Sequence, residues 1–541
     1  MRRPRRGGSL GSSASRVSSE PAEATRLDAE GRAMHSVELG SVIAHTLAQL
    51  PVVGVVSGAG SRNAPLSLAF HQLAEELALH VAIDERSGAF RALGLAKASG
   101  KLAVISVTSG SAVANLAPAI LEAKHAGVAL LVITADRPMQ DVGTGSSQTT
   151  NQVGIFGSSV IDVVRLSSES GTPAAWSAAV QRAAHLALGT RTREPGPVQL
   201  NVEFTPPLVG RASAPRLRVA SVTPSLESEV VTLPDGPLTV VVAGDASWQQ
   251  GQAARRFAEA AGVPLLAEPS SNARAGRCAI ANYRSLLGGE LGAQVQRVVV
   301  FGHPTLSRPQ AALLSGEAEV VVVSDRASWH DAGHRASLVA DRVALSAQPP
   351  EWLSAWQQAD AGFGAPSRWG GRQVADALWQ HLTGSENLVL GASSIIRDAD
   401  LTPVSPDPPR VYASRGQAGI DGTVATASGI ALATGRPTTV LLGDLAAQHD
   451  IGSLARAPLE EFGPVRVVVA DDNGGGLFHR LEQAAPEYSA AFERVFATPQ
   501  QLDLVRIAAA FGWRAVGVGD VDQLRSALAG DAEFIVARYQ R

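Results

Sequence analysis

Thr438-Thr439-Val440-Leu441-Leu442-Gly443-Asp444-Leu445 and, further on, Val465-Arg466-Val467-Val468-Val469-Ala470-Asp471-Asp472-Asn473-Gly474 decide how this chain folds. Each is an apolar run that ends in an acid and a glycine. Runs without polar alternation belong to strands buried on both faces, hence to a parallel sheet with helical crossovers. Neighbouring parallel strands would set Asp444 and Asp472 side by side at one sheet edge, past which ligands bind in such folds. Two carboxylates there can hold Mg²⁺ or Mn²⁺ when a diphosphate supplies the remaining oxygens. The Gly474 carbonyl can complete the protein's share, because glycine lets the backbone fold back. Leu445 and Ala446 open the next helix, whose N-terminus favours phosphate. Taken singly, Gly443-Asp444 reads as a helix cap and Asp472-Asn473-Gly474 as a surface turn. Their spacing, with an apolar strand before each, favours the site.

The same pattern recurs upstream. Between residues 34 and 205, helices alternate with the runs Val52–Val56, His80–Ile83, Leu102–Val107 and Val128–Thr134. Residues 206–237, rich in Pro, Ser and Val, read as a linker. A middle α/β block follows over 238–345, then a second linker over 346–371, then the block 372–541 that holds the two acidic strand ends. The fold class expected is α/β, with three tandem units of parallel sheet flanked by helices and no strong internal sequence repeat. Residues 1–33 are Arg-, Ser- and Ala-rich without an apolar centre. They are expected to be a disordered tail, or to follow from an upstream start codon.

At 541 residues the chain is too long for one core. Its net charge is −4, which gives no case for nucleic acid or an anionic membrane as partner. No apolar run is long enough to span a bilayer, and cytoplasm is the default location. The one cysteine excludes an intrachain disulfide. There are three lysines, so nearly every cation is a guanidinium fork suited to carboxylates.

Glu85 follows the run His80–Ile83 within Asp84-Glu85-Arg86-Ser87-Gly88. On its own this is equally a helix start with a surface ion pair. Gly443-Asp444 through Asp472-Asn473, however, resembles the signature of thiamine diphosphate enzymes, with Leu445 in place of a glycine and Asp472 in place of an asparagine. The resemblance implies thiamine diphosphate bound by Gly443, Asp444, Leu445, Ala446, Asp472 and Asn473, with Asp444, Asp472 and Gly474 on the metal. It implies that Glu85 hydrogen-bonds the cofactor's aminopyrimidine and so activates it. It also implies a homodimer or dimer of dimers whose active sites lie at the subunit interface.

A narrower resemblance covers residues from about Ser36 onward. Gly60-Ser61-Arg62-Asn63-Ala64-Pro65-Leu66, Asp84 to Lys97, Thr108 to Leu116, Thr134-Ala135-Asp136-Arg137-Pro138 and Arg415-Gly416-Gln417-Ala418-Gly419-Ile420-Asp421-Gly422 carry it. They are similar to the 2-succinyl-5-enolpyruvyl-6-hydroxy-3-cyclohexene-1-carboxylate synthase family of menaquinone biosynthesis. Here Ala59 stands where proline is usual, and Ser146-Ser147 replaces Ala-Asn. The resemblance nominates Ser61, Arg62, Arg137, Gln148, Arg308, Ser393, Arg397 and Arg415 as catalytic or substrate-binding. It places Gly416 and Ile420 against the cofactor, Ile420 as an apolar wedge. Ser393 and Arg397 would share one helix face.

The implied substrates are 2-oxoglutarate and isochorismate, both dicarboxylates. The implied reaction decarboxylates the first and adds its succinyl-semialdehyde carbanion equivalent to the ring of the second. Binding two dianions beside a diphosphate calls for several buried arginines. Two rivals stand beside this reading: another thiamine diphosphate enzyme with less anionic partners, and a non-catalytic module that kept the fold.

Overall fold

The computed structural model describes residues 36–210, 217–224, 229–364 and 366–540. The tail expected over 1–33 lies outside them. Three parallel sheets account for the apolar runs. The first contains β1 (Val52–Gly58), β2 (Leu79–Ala82), β3 (Leu102–Val107), β4 (Leu130–Asp136), β5 (Val163–Ser167) and β6 (Pro197–Glu203), in the order β2-β1-β3-β4-β6-β5. A short pair, β7 (Val231–Thr232) with β13 (Val343–Ala344), borders the middle sheet. That sheet holds β8 (Thr239–Ala243), β9 (Leu265–Ala267), β10 (Arg297–Phe301), β11 (Glu319–Val323) and β12 (Ala336–Ala340), ordered β12-β11-β10-β8-β9. The third comprises β14 (Asn387–Leu390), β15 (Arg410–Ala413), β16 (Thr438–Gly443), β17 (Val465–Asp471), β18 (Ala515–Val518) and β19 (Phe534–Arg538), ordered β15-β14-β16-β17-β19-β18.

Numbered from its own first strand, the third sheet has the strand order of the first. The sequence showed no such repeat. The helices that follow the second strand of each sheet, Glu85–Ser99 and Thr423–Thr434, pack on one another. Burial on both faces explains the apolar runs: every residue of β3, β4 and β8 is buried.

The sequence reading departs from the structure in several places. Val128 and Ala129 precede β4, because the Val128 N–H instead closes the helix Ala117–Ala126 onto the Ala123 carbonyl at 2.9 Å. Ile83 lies beyond β2 and is 87% exposed. Strand β6 escaped notice because Gln199, Asn201 and Glu203 interrupt its apolar residues. They are buried all the same, and Gln199 and Asn201 bond Thr134 and Asp136 of β4. The expected linker 346–371 contains a helix, Pro350–Asp360, whose Trp352 and Trp356 are buried in the middle core. The Trp352 indole N–H donates to the Thr239 carbonyl at 2.8 Å, which ties that helix to β8. Among the described residues no helix is long and apolar enough to cross a membrane.

Candidate active site

Strands β16 and β17 pair in parallel with Gly443 opposite Ala470, so Asp444 and Asp472 leave the sheet at one edge. Asp444 is 4% exposed and begins the helix Asp444–His449. Burial, then the nearby Asp472 and Asp471 charges, push its carboxyl up to about 7, against the backbone N–H groups of Leu445 and Gly474 that donate to it. Gly474 has φ 127°, a conformation that favours glycine. Its N–H thus serves Asp444, while its carbonyl already accepts from Gly476 N–H at 2.9 Å and keeps one lone pair for a cation. Asn473 sits at φ 59°, which asparagine tolerates.

The cavity beside these residues, about 360 Å³, is lined by Asp444, Asp471, Asn473, Leu504, Arg538 and Tyr539 among others. Among the described residues no group of three or more His, Cys, Asp or Glu side chains is arranged to hold a metal. A cation placed between Asp444 and Asp472 would have to draw on main-chain and ligand oxygens as well. The donor set fits such an ion: two crowded carboxylates of hard oxygen, one of them buried at a charge cost that a divalent cation offsets. Ser393 adds to the fit. Its hydroxyl is buried without a hydrogen-bond partner, and a β-carbon on Gly443 would lie 3.5 Å from it.

Arg397 stands one helical turn beyond Ser393 and donates to the Ser393 carbonyl at 2.8 Å. Burial holds its guanidinium below the ordinary arginine range, helped by the charges of Arg415, Arg284, Arg480 and Arg308. Three of the predicted arginines, 308, 397 and 415, therefore share one cationic cluster. Arg415 is 4% exposed and bonds the hydroxyl of Thr305, a middle-block residue, at 2.8 Å.

The first sheet holds the other candidates at the carboxyl ends of its strands. Glu85 follows its helix cap Asp84, which accepts from Arg86 and Ser87 N–H, so the helix-start reading of this segment also holds. The Glu85 carboxylate meets the Asn115 amide at 3.5 Å, and a β-carbon on Gly58 would lie 3.5 Å from its Cγ. Burial, and then the charge of the nearby Arg137, holds the Arg62 guanidinium below the ordinary arginine range. Arg62 also donates to the Phe204 carbonyl. The Arg137 Nε is buried without a partner, and the residue's own N–H bonds Asp136. Gln148, at φ 56°, donates to the Ser109 carbonyl at 2.7 Å, and Ser61 is exposed in the turn after β1. The candidates thus form two groups, one on the first sheet and one on the third with Arg308 from the middle block.

Three tethers between these groups escaped sequence reading. Glu122, 3% exposed, accepts the N–H of Gly416 at 2.9 Å and of Gln417 at 2.6 Å. Lys97 donates to the Ala413 carbonyl and pairs with Asp245 at 3.3 Å, joining all three blocks. Arg86 pairs with Asp421 at 3.7 Å. A lone acid amid the apolar residues of Ala117–Ala126 was the one available signal for Glu122. Ile420 packs against the core of the third block.

Comparison with known proteins agrees with this layout. Residues 37–155 match the family model described as thiamine pyrophosphate enzyme, N-terminal TPP binding domain, and residues 398–533 its C-terminal TPP binding domain. A 2-succinyl-5-enolpyruvyl-6-hydroxy-3-cyclohexene-1-carboxylate synthase of Kineococcus radiotolerans is 45% identical over 88% of this chain and 90% of its own. One from Renibacterium salmoninarum is 41% identical, over 90% and 91%. The chain belongs to this synthase family. Within that family it keeps the three-sheet thiamine pyrophosphate enzyme fold. Benzoylformate decarboxylase of Polynucleobacter necessarius superposes with TM-score 0.69 over 92% of this chain and 98% of its own, at 17% identity, a likeness of fold alone.

Proposed function

We propose that this synthase joins 2-oxoglutarate to isochorismate with loss of CO₂, a step of menaquinone biosynthesis that yields the product its relatives are named for. The observation that carries the substrate assignment is the clustering of Arg308, Arg397 and Arg415 beside Ser393 and the Asp444–Asp472 edge. Cations gathered at that cost are suited to dicarboxylates and ill suited to neutral partners.

Asp444, Asp472 and the Gly474 carbonyl would hold thiamine diphosphate through Mg²⁺ or Mn²⁺, and the bound cofactor would supply the electron sink for decarboxylation. The chain's own residues do the rest. Ala446 offers its N–H to phosphate at the start of the helix, beside Leu445, whose own N–H is engaged by the Asp444 carboxylate. Glu85, lent by the partner protomer of a homodimer or dimer of dimers, holds a proton at the aminopyrimidine ring. Arg308, Arg397 and Arg415 orient one carboxylate-bearing substrate, and Ser61, Arg62, Arg137 and Gln148 approach from the first sheet of the other protomer. In the balance, the C1–C2 bond of 2-oxoglutarate breaks, a bond forms to the isochorismate ring, and one proton is taken up. Exclusion of water from the reacting carbon keeps the reaction from being diverted to an aldehyde.

The test is an assay with both substrates, cofactor and Mg²⁺. Matched consumption of 2-oxoglutarate and isochorismate supports the reading. Aldehyde release without isochorismate consumption indicates a simple decarboxylase, and no turnover indicates a non-catalytic module.

A further inference from the structure

The middle block meets the cationic cluster at two places: Arg284 donates to the Arg397 carbonyl at 2.9 Å, and the turn before Arg308 holds Arg415. Residues 302–307 lead from β10 to the helix Arg308–Leu314, capped by Ser307. Thr305 in that turn holds Arg415 at three points. Its hydroxyl accepts from Nη2 at 2.8 Å and Nε at 3.2 Å, and its carbonyl lies 3.3 Å from Nη2. The remaining Nη1 of Arg415 is buried without a partner. One edge of the fork is therefore fixed and the other is left for an incoming oxygen.

The turn is itself fixed from behind. Glu268, 1% exposed, follows β9 and accepts the N–H of Thr305 at 3.0 Å and of Leu306 at 2.8 Å, both on one carboxyl oxygen. Four residues on, the Asn272 amide donates to the Val411 carbonyl and accepts the Val411 N–H, at 2.9 Å and 2.8 Å, in the strand that leads to Arg415. The segment 268–272 thus grips both the turn that carries Thr305 and the strand that carries Arg415. Burying a carboxyl group this completely is costly unless its bonds are needed. Burial pushes it up to about 8, and protonated or not, it keeps an oxygen that accepts the two N–H bonds.

We propose that Glu268 and Thr305 are positioning residues for Arg415, setting which edge of its guanidinium meets the acidic end of a substrate. This rests on the carboxylate-binding role proposed for Arg415. Steady-state kinetics of the full-length holoenzyme test it, with each substrate varied in turn. Arg415→Gln first shows which substrate the guanidinium serves, by the KM that rises. Thr305→Val is expected to raise that same KM about tenfold or more, through loss of the hydroxyl's two hydrogen bonds to a charged group, with kcat within about twofold. Thr305→Ser should restore KM, Glu268→Gln should behave as wild type, and Glu268→Leu should reproduce the KM rise. Cofactor affinity, read by tryptophan fluorescence, should not move in the Thr305 variants. If Arg415→Gln raises a KM and Thr305→Val does not, the positioning role is wrong. A Thr305→Val effect shared equally by kcat, both KM values and cofactor affinity also overturns it, as a general loss of structure. If Arg415→Gln moves neither KM, the carboxylate-binding role itself fails. Should Glu268→Leu not fold, the Thr305 pair decides.

Discussion

Gly94 and Gly429 lie face to face where the helices Glu85–Ser99 and Thr423–Thr434 cross. A β-carbon on Gly94 would sit 2.1 Å from the Thr426 carbonyl oxygen, and one on Gly429 would sit 2.1 Å from the Arg91 oxygen. The reciprocal contact joins two sheets of the same strand order, and it sets how the Glu85 helix stands against the 415–422 loop. Gly94→Ala should force the backbones apart and destabilise the protein by about 1–3 kcal/mol. Chemical denaturation checks this.

Asp444 carries a charge that the folded protein disfavours. Its pKa is raised from 3.8 to about 7, first by burial and then by Asp472. A raised carboxyl contributes stability below its unfolded pKa and loses it as pH climbs through the folded value. Asp444→Asn should therefore stabilise the cofactor-free protein above pH 7, by on the order of 1–4 kcal/mol, and change it little near pH 4. Melting curves at the two pH values decide.

Glu85→Gln should lower turnover at least ~10²-fold while the variant still binds the diphosphate cofactor. Mixing it, after mild dissociation, with Asp444→Asn should restore activity that neither variant has alone. Restoration is the signature of a site built from two protomers. Persistent inactivity of the mixture would count against a shared site.

Arg397 is held among four like charges, with burial as the larger penalty. Arg397→Gln should leave the ligand-free protein as stable or more stable, yet raise the KM of an anionic substrate tenfold or more. A drop in melting temperature with unchanged KM would make Arg397 structural.

His80 is buried beside Arg91, which with the larger effect of burial lowers its pKa from 6.5 to about 4. A depressed histidine contributes stability above its unfolded pKa and loses it as pH falls through the folded one. The stability that His80 contributes should fall away between pH 6.5 and 4, so the difference between wild type and His80→Gln should shrink across that window. Melting temperatures across the window measure the slope.

The apolar runs and the acids at their ends were legible because burial on both faces leaves no alternation to hide them. Asp444 and Asp472 are close because their strands are neighbours. Other features lie in contacts that sequence order conceals. Glu122 and Gly416 stand 294 positions apart, so neither predicts the other. Strand β6 was missed because its polar residues satisfy one another inside the core, and the tryptophan helix 350–360 because its prolines suggested a linker. The shared strand order of the first and third sheets is a property of backbone topology that different side chains can carry.

The most direct test of the account is calorimetric titration of thiamine diphosphate into the protein with and without Mg²⁺. One site per chain is predicted, with heat released in the presence of the cation and lost in Asp444→Ala and Asp472→Ala alike. Binding of equal strength without the cation, or undiminished in both variants, would contradict it.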